Sequence, residues 1–347
     1  MHVWRISSLL RSFASAQYFY TAWSQAELAS RTASKHASPI KMNNFSNLKP
    51  KKSLGQNFLK SKKALSDMLL AGEVGENDIV LEAGPGKGIL TEELLKKAGK
   101  VIAVEKDDSL IEFLRDKFFA EIASGKLELI HGDILDFDPT TPPLRRASYN
   151  PRLFGGQATI YKLIANIPYY ITGQFLRKFL SGENQPSKMV ILLQKEVVKR
   201  ITANDGKESI LSISVKAYGK PKNIGKVSKE NFSPKPKVDS AILLIDNISR
   251  DFFTCHSRAG GNPDPQQTNL DSRLRGNDRT ELTDEEKFFQ IVKAGFAHKR
   301  KLLAGNIKHL IKAGNKVEKI FETCGISPKA RAEDVKIEQW KHLSEML

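Results

Sequence analysis

Asn166, Pro168 and Tyr169 are the residues whose types and order point most directly to chemistry. They close the stretch YKLIANIPYY at 161–170, an apolar run with the β-formers Tyr161 and Ile164 that stops at Asn166. Proline lacks the N–H that a strand ladder needs, so the run reads as a buried strand ending in a rigid turn. Such a turn fixes an amide oxygen, which accepts a hydrogen bond from an exocyclic amine, beside an aromatic ring on which a flat base stacks. The chemistry implied is recognition of a planar, nitrogen-bearing substrate. A surface turn capped by asparagine has the same sequence, so the turn needs support from elsewhere in the chain.

That support begins at 79–105, IVLEAGPGKGILTEELLKKAGKVIAVE. The spacing predicts a strand at 79–81, a tight turn at Gly84, Gly86 and Gly88, an amphipathic helix at 89–97 and a second strand at 101–104, which together make a βαβ unit. Glycines let the backbone approach a ligand closely, and an acidic residue about 20 positions further on reaches ribose hydroxyls. Glu105 fills that position. The order G-x-G-x-G differs from the dinucleotide G-x-G-x-x-G, and Pro85 stiffens the turn. The loop therefore fits a nucleoside ligand without a pyrophosphate, for which S-adenosylmethionine (SAM) is the candidate and NAD the alternative.

These residues need a scaffold, and alternation supplies it. A helix is expected at 107–119, a strand at 127–130 ending in His131-Gly132-Asp133, the strand at 161–165, a helix at 172–180, a strand at 189–193 and a helix at 195–203. A further helix at 209–218, a strand near 223–227 and a last strand at 241–245 complete an α/β sheet. In open α/β sheets ligands bind beyond the carboxyl ends of the strands, so Gly84, Glu105, Asp133 and Asn166 should converge on one crevice. There Asp133 is placed to accept from the amino group of the cofactor's adenine, although a carboxylate opening a loop is also ordinary. Residues 136–158 form a longer loop than this architecture requires and carry no chemical role. In NFSPKPKVDS at 231–240, Pro234 and Pro236 hold the chain extended, which fixes Phe232 at the entrance and offers Lys235 and Lys237 to anions. A second aromatic near Tyr169 would sandwich a flipped base; the two lysines also fit a solvated loop.

Composition narrows the class. The 347 residues carry 55 Lys and Arg against 39 Asp and Glu, a net charge of +16, which favours a polyanionic partner such as RNA or DNA. No apolar run approaches the roughly 20 residues needed to cross a bilayer. Two cysteines, Cys255 and Cys324, are too few for a disulfide framework or a four-cysteine zinc site, so a reducing compartment and no metal are expected. Residues 1–41 are rich in Ser, Ala and Arg, and Glu27 is the one acid before Asp67, a composition shared with transit peptides. An upstream extension before a start at Met42 is the preferred reading. At 47–63, NLKPKKSLGQNFLKSKK, lysines suited to phosphates surround an apolar knot in which Phe58 and Leu59 anchor the segment to the sheet-forming part of the chain.

Taken together, GQNFL at 55–59, EAGPGKG at 82–88, NIPY at 166–169, LQKEVVKR at 193–200 and FSPKPKVDS at 232–240 resemble the bacterial ribosomal RNA adenine dimethyltransferase A family, which modifies small-subunit RNA. AGFAHKRKLLAGNIK at 294–308 and GISPKARAEDVKIEQW at 325–340 are similar to that family's helical C-terminal domain. The resemblance runs from about Asn47 to the end. It implies a Rossmann-like SAM-dependent methyltransferase sheet at 47–248, a smaller all-α C-terminal domain at 281–347, and a disordered or non-native extension at 1–46. It further implies SAM contacts at Asn57, Leu59, Gly84, Glu105, Asp133 and Asn166, with Asn166, Pro168 and Tyr169 holding the target adenine and Phe232 as a second stacking residue. The expected substrate is 16S rRNA in the small (30S) subunit, dimethylated at N6 of two adjacent adenosines in a hairpin loop near its 3′ end by a cytoplasmic, monomeric enzyme with a role in subunit biogenesis. A large-subunit rRNA adenine methyltransferase and a non-catalytic assembly or nucleic-acid-binding factor are the alternatives.

The match departs at 136–158, longer than the family's loop, and at 253–280. The second segment contains CHSRAGGNPDPQQTNLDSRLRGND, rich in Gly, Asn, Pro and Asp, with no hydrophobic period and an internal echo of Ser257-Arg258 through Gly261-Asn262 in Ser272-Arg273 through Gly276-Asn277. It reads as a disordered insertion and resembles peptides encoded by mobile palindromic elements in some intracellular bacteria, which argues for a bacterial source and against a mitochondrial address. Beyond it, Thr283 and Glu286 match a capping box, Phe288, Ile291, Val292 and Phe296 form an apolar stripe, and His298 to Lys301 form a basic cluster fit for RNA backbone or for solvent.

Overall fold

The computed structural model describes residues 50–51, 54–140, 160–254, 282–311 and 316–347. The extension at 1–46, most of the 136–158 loop and most of the 253–280 insertion lie outside the described residues. In chain order the elements are β1 (Phe58–Leu59), α1 (Lys62–Ala71), β2 (Ile79–Ala83), α2 (Ile89–Lys97), β3 (Lys100–Glu105), α3 (Asp108–Lys117), α4 (Phe119–Ala123) and β4 (Leu127–His131). Next come β5 (Lys162–Asn166), α5 (Thr172–Leu180), β6 (Lys188–Gln194), α6 (Lys195–Thr202), α7 (Ile210–Lys216), β7 (Lys220–Val227), β8 (Phe232–Ser233) and β9 (Ser240–Asp246). The C-terminal part holds α8 (Asp251–Thr254), α9 (Asp284–Gly295), α10 (Leu303–Ile307), α11 (Val317–Thr323) and α12 (Ile337–Met346).

Seven strands form one sheet in the order β4-β3-β2-β5-β6-β9-β7. The first five run parallel, β9 pairs antiparallel with β6, and β7 pairs antiparallel with β9. Crossover helices cover both faces, which is why β2, β5 and β6 read as near-continuous apolar runs rather than alternating ones. The chain order reverses beside β2, which has β3 on one flank and β5 on the other. This switch point brings the ends of β2, β3, β4 and β5 to one rim.

Two expected elements differ from those observed, each for a local reason. The helix expected at 107–119 breaks at Phe118, whose backbone leaves the helical region, so α3 and α4 are separate. The Phe118 ring turns inward and fills the space beside Gly88, where an added Cβ would lie 2.5 Å from it; Gly88 also has φ +72°. The strand expected near 223–227 begins earlier, at Lys220, and includes Pro221. An edge strand tolerates proline because its outer N–H has no partner to lose.

The C-terminal helices share the core of the sheet. Phe288, Ile291 and Val292 of α9 belong to one apolar cluster with Tyr218, Ile213 and Leu243, and the cluster runs on to Trp340 of α12. The capping box is present, with Thr283 Oγ1 accepting from the Glu286 amide at 3.2 Å and Glu286 Oε2 accepting from the Thr283 amide at 2.9 Å. Rings of Tyr218, Phe252, Phe253, Phe288 and Phe289 contact one another, and Tyr218 donates to Glu285 at 2.5 Å. Among the described residues no helix is long and apolar enough to cross a membrane.

Candidate active site

One cavity lies at the switch-point rim, and the residues singled out from sequence gather there. Asn57 and Leu59 come from the N-terminal segment, Gly84 from the end of β2, Glu105 from β3, Asp133 from beyond β4, and Asn166, Pro168 and Tyr169 from the end of β5. Phe232 does not line it. It is 2% exposed, pairs with Leu59 across the two-stranded β1–β8 ribbon, and packs with Val227 and Ile242, one strand removed from the cavity.

The glycine loop forms the floor. Gly86 has φ +60°, and a Cβ there would stand 3.0 Å from the Phe58 ring, so the backbone is close-packed under the N-terminal segment. The Gly86 amide donates to Glu105 Oε2 at 3.0 Å, while Oε1 accepts from the amides of Lys106 and Asp107, each at 2.9 Å. Burial pushes the Glu105 carboxyl above its usual range, and these amides offset part of the rise. Oε2 keeps a free lone pair for a hydroxyl donor.

Asp133 is held differently. Its Oδ2 meets Lys106 Nζ at 2.7 Å and its Oδ1 accepts from the Leu135 amide at 2.9 Å. Burial works to raise it, but the Lys106 ammonium and that amide leave it below the ordinary carboxylate range, so it is an anion and an acceptor at neutral pH.

The turn after β5 is set by long-range bonds. Asn166 Nδ2 donates to the Asn57 carbonyl at 3.2 Å, which fixes the side chain and leaves Oδ1 without a partner among the described residues. Tyr169 Oη shares a 2.6 Å hydrogen bond with Ser240 Oγ at the start of β9, and burial raises its pKa. The Pro168 carbonyl accepts from the Ile171 amide at 3.3 Å and retains a second lone pair.

Sequence reasoning missed three features. Lys51 Nζ and Gln56 Nε2 both reach Asp107, at 2.7 and 2.9 Å, and so strap the N-terminal segment across the cavity. Asp107 also caps α3 through the Ser109 amide; burial opposes its ionisation, but the Lys51 and Gln56 bonds hold its pKa below normal. No local pattern announces that contact. Ser240, fully buried, is the anchor for Tyr169. Glu82, inside β2 and 1% exposed, lines the cavity with neither carboxylate oxygen hydrogen-bonded. A carboxylate within an apolar strand was the signal available for it.

The family model for ribosomal RNA adenine dimethylase matches residues 47–255. The chain belongs to that family. This dimethylase is 37% identical over 297 residues, 85% of its own length and 88% of the relative's, to Ribosomal RNA small subunit methyltransferase A of Dehalococcoides mccartyi. Its fold is shared with a dimethyladenosine transferase from Plasmodium falciparum, at a TM-score of 0.61 and 23% identity over 82% of this chain and 95% of that one. The 23S rRNA methyltransferase ErmE is equally alike, at 0.60 and 23% over 84% and 99% of the two chains. The dimethylase is a SAM-dependent enzyme of the α/β class.

The cavity suits that cofactor. A close-packed glycine loop without a pyrophosphate cradle, a buried carboxylate with a lone pair to spare for ribose, an anionic acceptor at Asp133 and an unpaired buried acid at Glu82 match an adenosine bearing a charged amino acid. Among the described residues there is no cluster of side chains that would hold a metal.

Proposed function

We propose that the dimethylase adds two methyl groups to N6 of each of two adjacent adenosines in a hairpin loop near the 3′ end of 16S rRNA, acting on the small subunit during its biogenesis. The reading has the enzyme working as a monomer in the cytoplasm. The bound cofactor supplies an electrophilic methyl group on its sulfonium. Glu105 is assigned to the ribose, Asp133 to the cofactor's adenine amino group, and Asn57, Leu59, Gly84 and Asn166 to the rest of the cofactor.

The observation that carries the reading is Asn166, whose amide nitrogen is tied to Asn57 while its oxygen stays free. The lone pair of an adenine N6 is delocalised into the ring, which makes the amine a poor nucleophile. Asn166 Oδ1 and the Pro168 carbonyl accept hydrogen bonds from its two N–H groups, favour a tetrahedral nitrogen and so direct the lone pair outward. Tyr169 offers its ring to the base, held by Ser240. Catalysis is then mostly orientation and electrostatics, with no strong base required. Phe232, 2% exposed and paired with Leu59 outside the cavity, would have to leave that packing to act as the second stacking residue of this proposal. A target in a hairpin loop fits because its bases are already partly out of the stack. The exposed cluster His298 to Lys301 provides RNA backbone contacts.

The test is transfer of tritiated methyl groups from SAM to immature small subunits from a strain lacking the enzyme, followed by mass mapping of the labelled RNA. Label at two adjacent small-subunit adenosines is expected. Label in large-subunit RNA would favour a large-subunit rRNA adenine methyltransferase instead, and binding without label would leave an assembly factor.

A further inference from the structure

Tyr169, Tyr170 and Ile171 make one turn of 3₁₀ helix directly after Pro168. Successive side chains in such a turn diverge by about 120°, so the three point in different directions. Tyr169 is half-buried and tied to Ser240, Ile171 enters the core at 7% exposed, and Tyr170 stands outward. Among the described residues two aromatic rings are largely exposed, Tyr170 at 66% and Phe119 at 56%, and of these Tyr170 alone borders the cavity. A single exposed ring is ordinary on a protein surface, but this one is firmly seated at a ligand site. A Cβ on Gly55 would stand 3.3 Å from Tyr170 Cε1 and 3.4 Å from Pro168 Cβ, so glycine at 55 lets the N-terminal segment pack directly against the ring and the turn. The Gly55 carbonyl accepts from Asn57 Nδ2 at 3.1 Å, and the Asn57 carbonyl accepts from Asn166 Nδ2 at 3.2 Å. The outer ring therefore has the same backing as the amide assigned to the target amine.

We propose that Tyr170 is an outer stacking platform that holds the base next to the adenine being methylated, so that the cavity mouth takes a dinucleotide rather than a single base. The inference rests on the assignment of Asn166, Pro168 and Tyr169 to the target adenine. Two rings that diverge as Tyr169 and Tyr170 do cannot sandwich one base, so a base on the outer ring is a different one. Phe232 does not supply this surface, because it is 2% exposed and paired with Leu59. Extruding a target base takes a stacking partner from its neighbour, and an exposed ring replaces that partner whatever the neighbour's identity. Lys87 and Lys106 line the same cavity, Lys106 from its ion pair with Asp133, and both suit the phosphate that joins the two nucleosides.

The test compares the full-length wild type, Tyr170→Phe and Tyr170→Leu in two assays. Leucine keeps an apolar side chain against Gly55 and removes the ring; phenylalanine keeps the ring. In tritiated methyl transfer to immature small subunits, Tyr170→Leu should raise KM for the subunits about tenfold or more with a smaller change in kcat, while Tyr170→Phe stays within about twofold of wild type. Calorimetry should show the same affinity for S-adenosylhomocysteine (SAH) in all three proteins. In the second assay SAH is held saturating, so that the cofactor site is filled, and the dinucleotide ApA is compared with adenosine. Wild type should bind ApA about tenfold more tightly, and Tyr170→Leu should lose most of that advantage. ApA binding no tighter than adenosine in wild type, undetectable binding of both included, overturns the proposal even if the leucine variant fails to fold. A wild-type KM in Tyr170→Leu, a tenfold defect in Tyr170→Phe, or a loss of SAH affinity that matches the loss of transfer also overturns it, the last by showing that the ring only holds the N-terminal segment. Small subunits left unlabelled by wild type, with the ApA preference present and dependent on Tyr170, would overturn the small-subunit reading and support the dinucleotide site.

Discussion

Replacing Glu82 by glutamine should stabilise the ligand-free dimethylase at neutral pH, by an amount set by its burial. The carboxyl is 1% exposed and its pKa rises from 4.5 to about 8, with desolvation as the first cause, Thr91 and Lys117 opposing it and Glu105 adding to it. A folded-state value above the unfolded one means that the contribution is fully present below pH 4.5 and is lost as pH rises towards 8. From pH 4.5 to pH 7 the unfolded chain ionises Glu82 while the folded protein keeps it protonated, which removes about 3 kcal/mol of stability at about 1.4 kcal/mol per unit. Glutamine fills nearly the same volume and has nothing to ionise. Denaturant unfolding of both proteins at pH 5, 6 and 7, without cofactor, should give stabilities within about 1 kcal/mol of each other at pH 5 and a gap that widens by about 2.5 kcal/mol by pH 7. Parallel pH profiles for the two proteins would show that the wild-type carboxyl is ionised or paired, and would refute the reasoning.

Asn166→Ala should retain RNA binding and lower methyl transfer by about a hundredfold or more, since a preorganised acceptor is removed; unchanged turnover in the tritium assay would refute its role. Gly86→Ala should weaken SAH binding by about tenfold in calorimetry, because the new Cβ meets Phe58 at 3.0 Å and φ +60° costs an L-residue about 1–2 kcal/mol. Gly295→Ala should lower unfolding stability by about 1–3 kcal/mol with SAH affinity unchanged, because its Cβ would fall 2.3 Å from the Trp340 ring, far from the cavity. Asp107→Asn keeps a good cap for α3 but removes the charge that holds Lys51, so trypsin should cleave at Lys51 faster than in wild type; equal rates would separate the strap from Asp107.

What was legible in the sequence was what local order determines. The helices α2 and α5 have the bounds that periodicity predicts, 89–97 and 172–180, because each starts at a turn written beside it: Gly88 for one, the NIPY turn for the other. The cavity residues at the ends of β2 to β5 were legible for the same reason, since alternation places strand ends on one rim without any knowledge of contacts. What was not legible is what holds those ends in relation to one another. Asn166 takes its orientation from Asn57, 109 positions away, and Tyr169 from Ser240, 71 positions away. The β1–β8 ribbon, two residues from each strand, joins the GQNFL segment to Phe232 and buries the ring expected to face a base. A two-residue pairing has no period to detect, and the proline-bounded segment around Phe232 reads as loop in isolation. The same distinction separates the two acids of the glycine-loop unit. Glu105 is recognisable by its spacing from the loop, whereas the unpaired state of Glu82 depends on what every neighbouring element fails to donate, a property that exists only once the chain is folded.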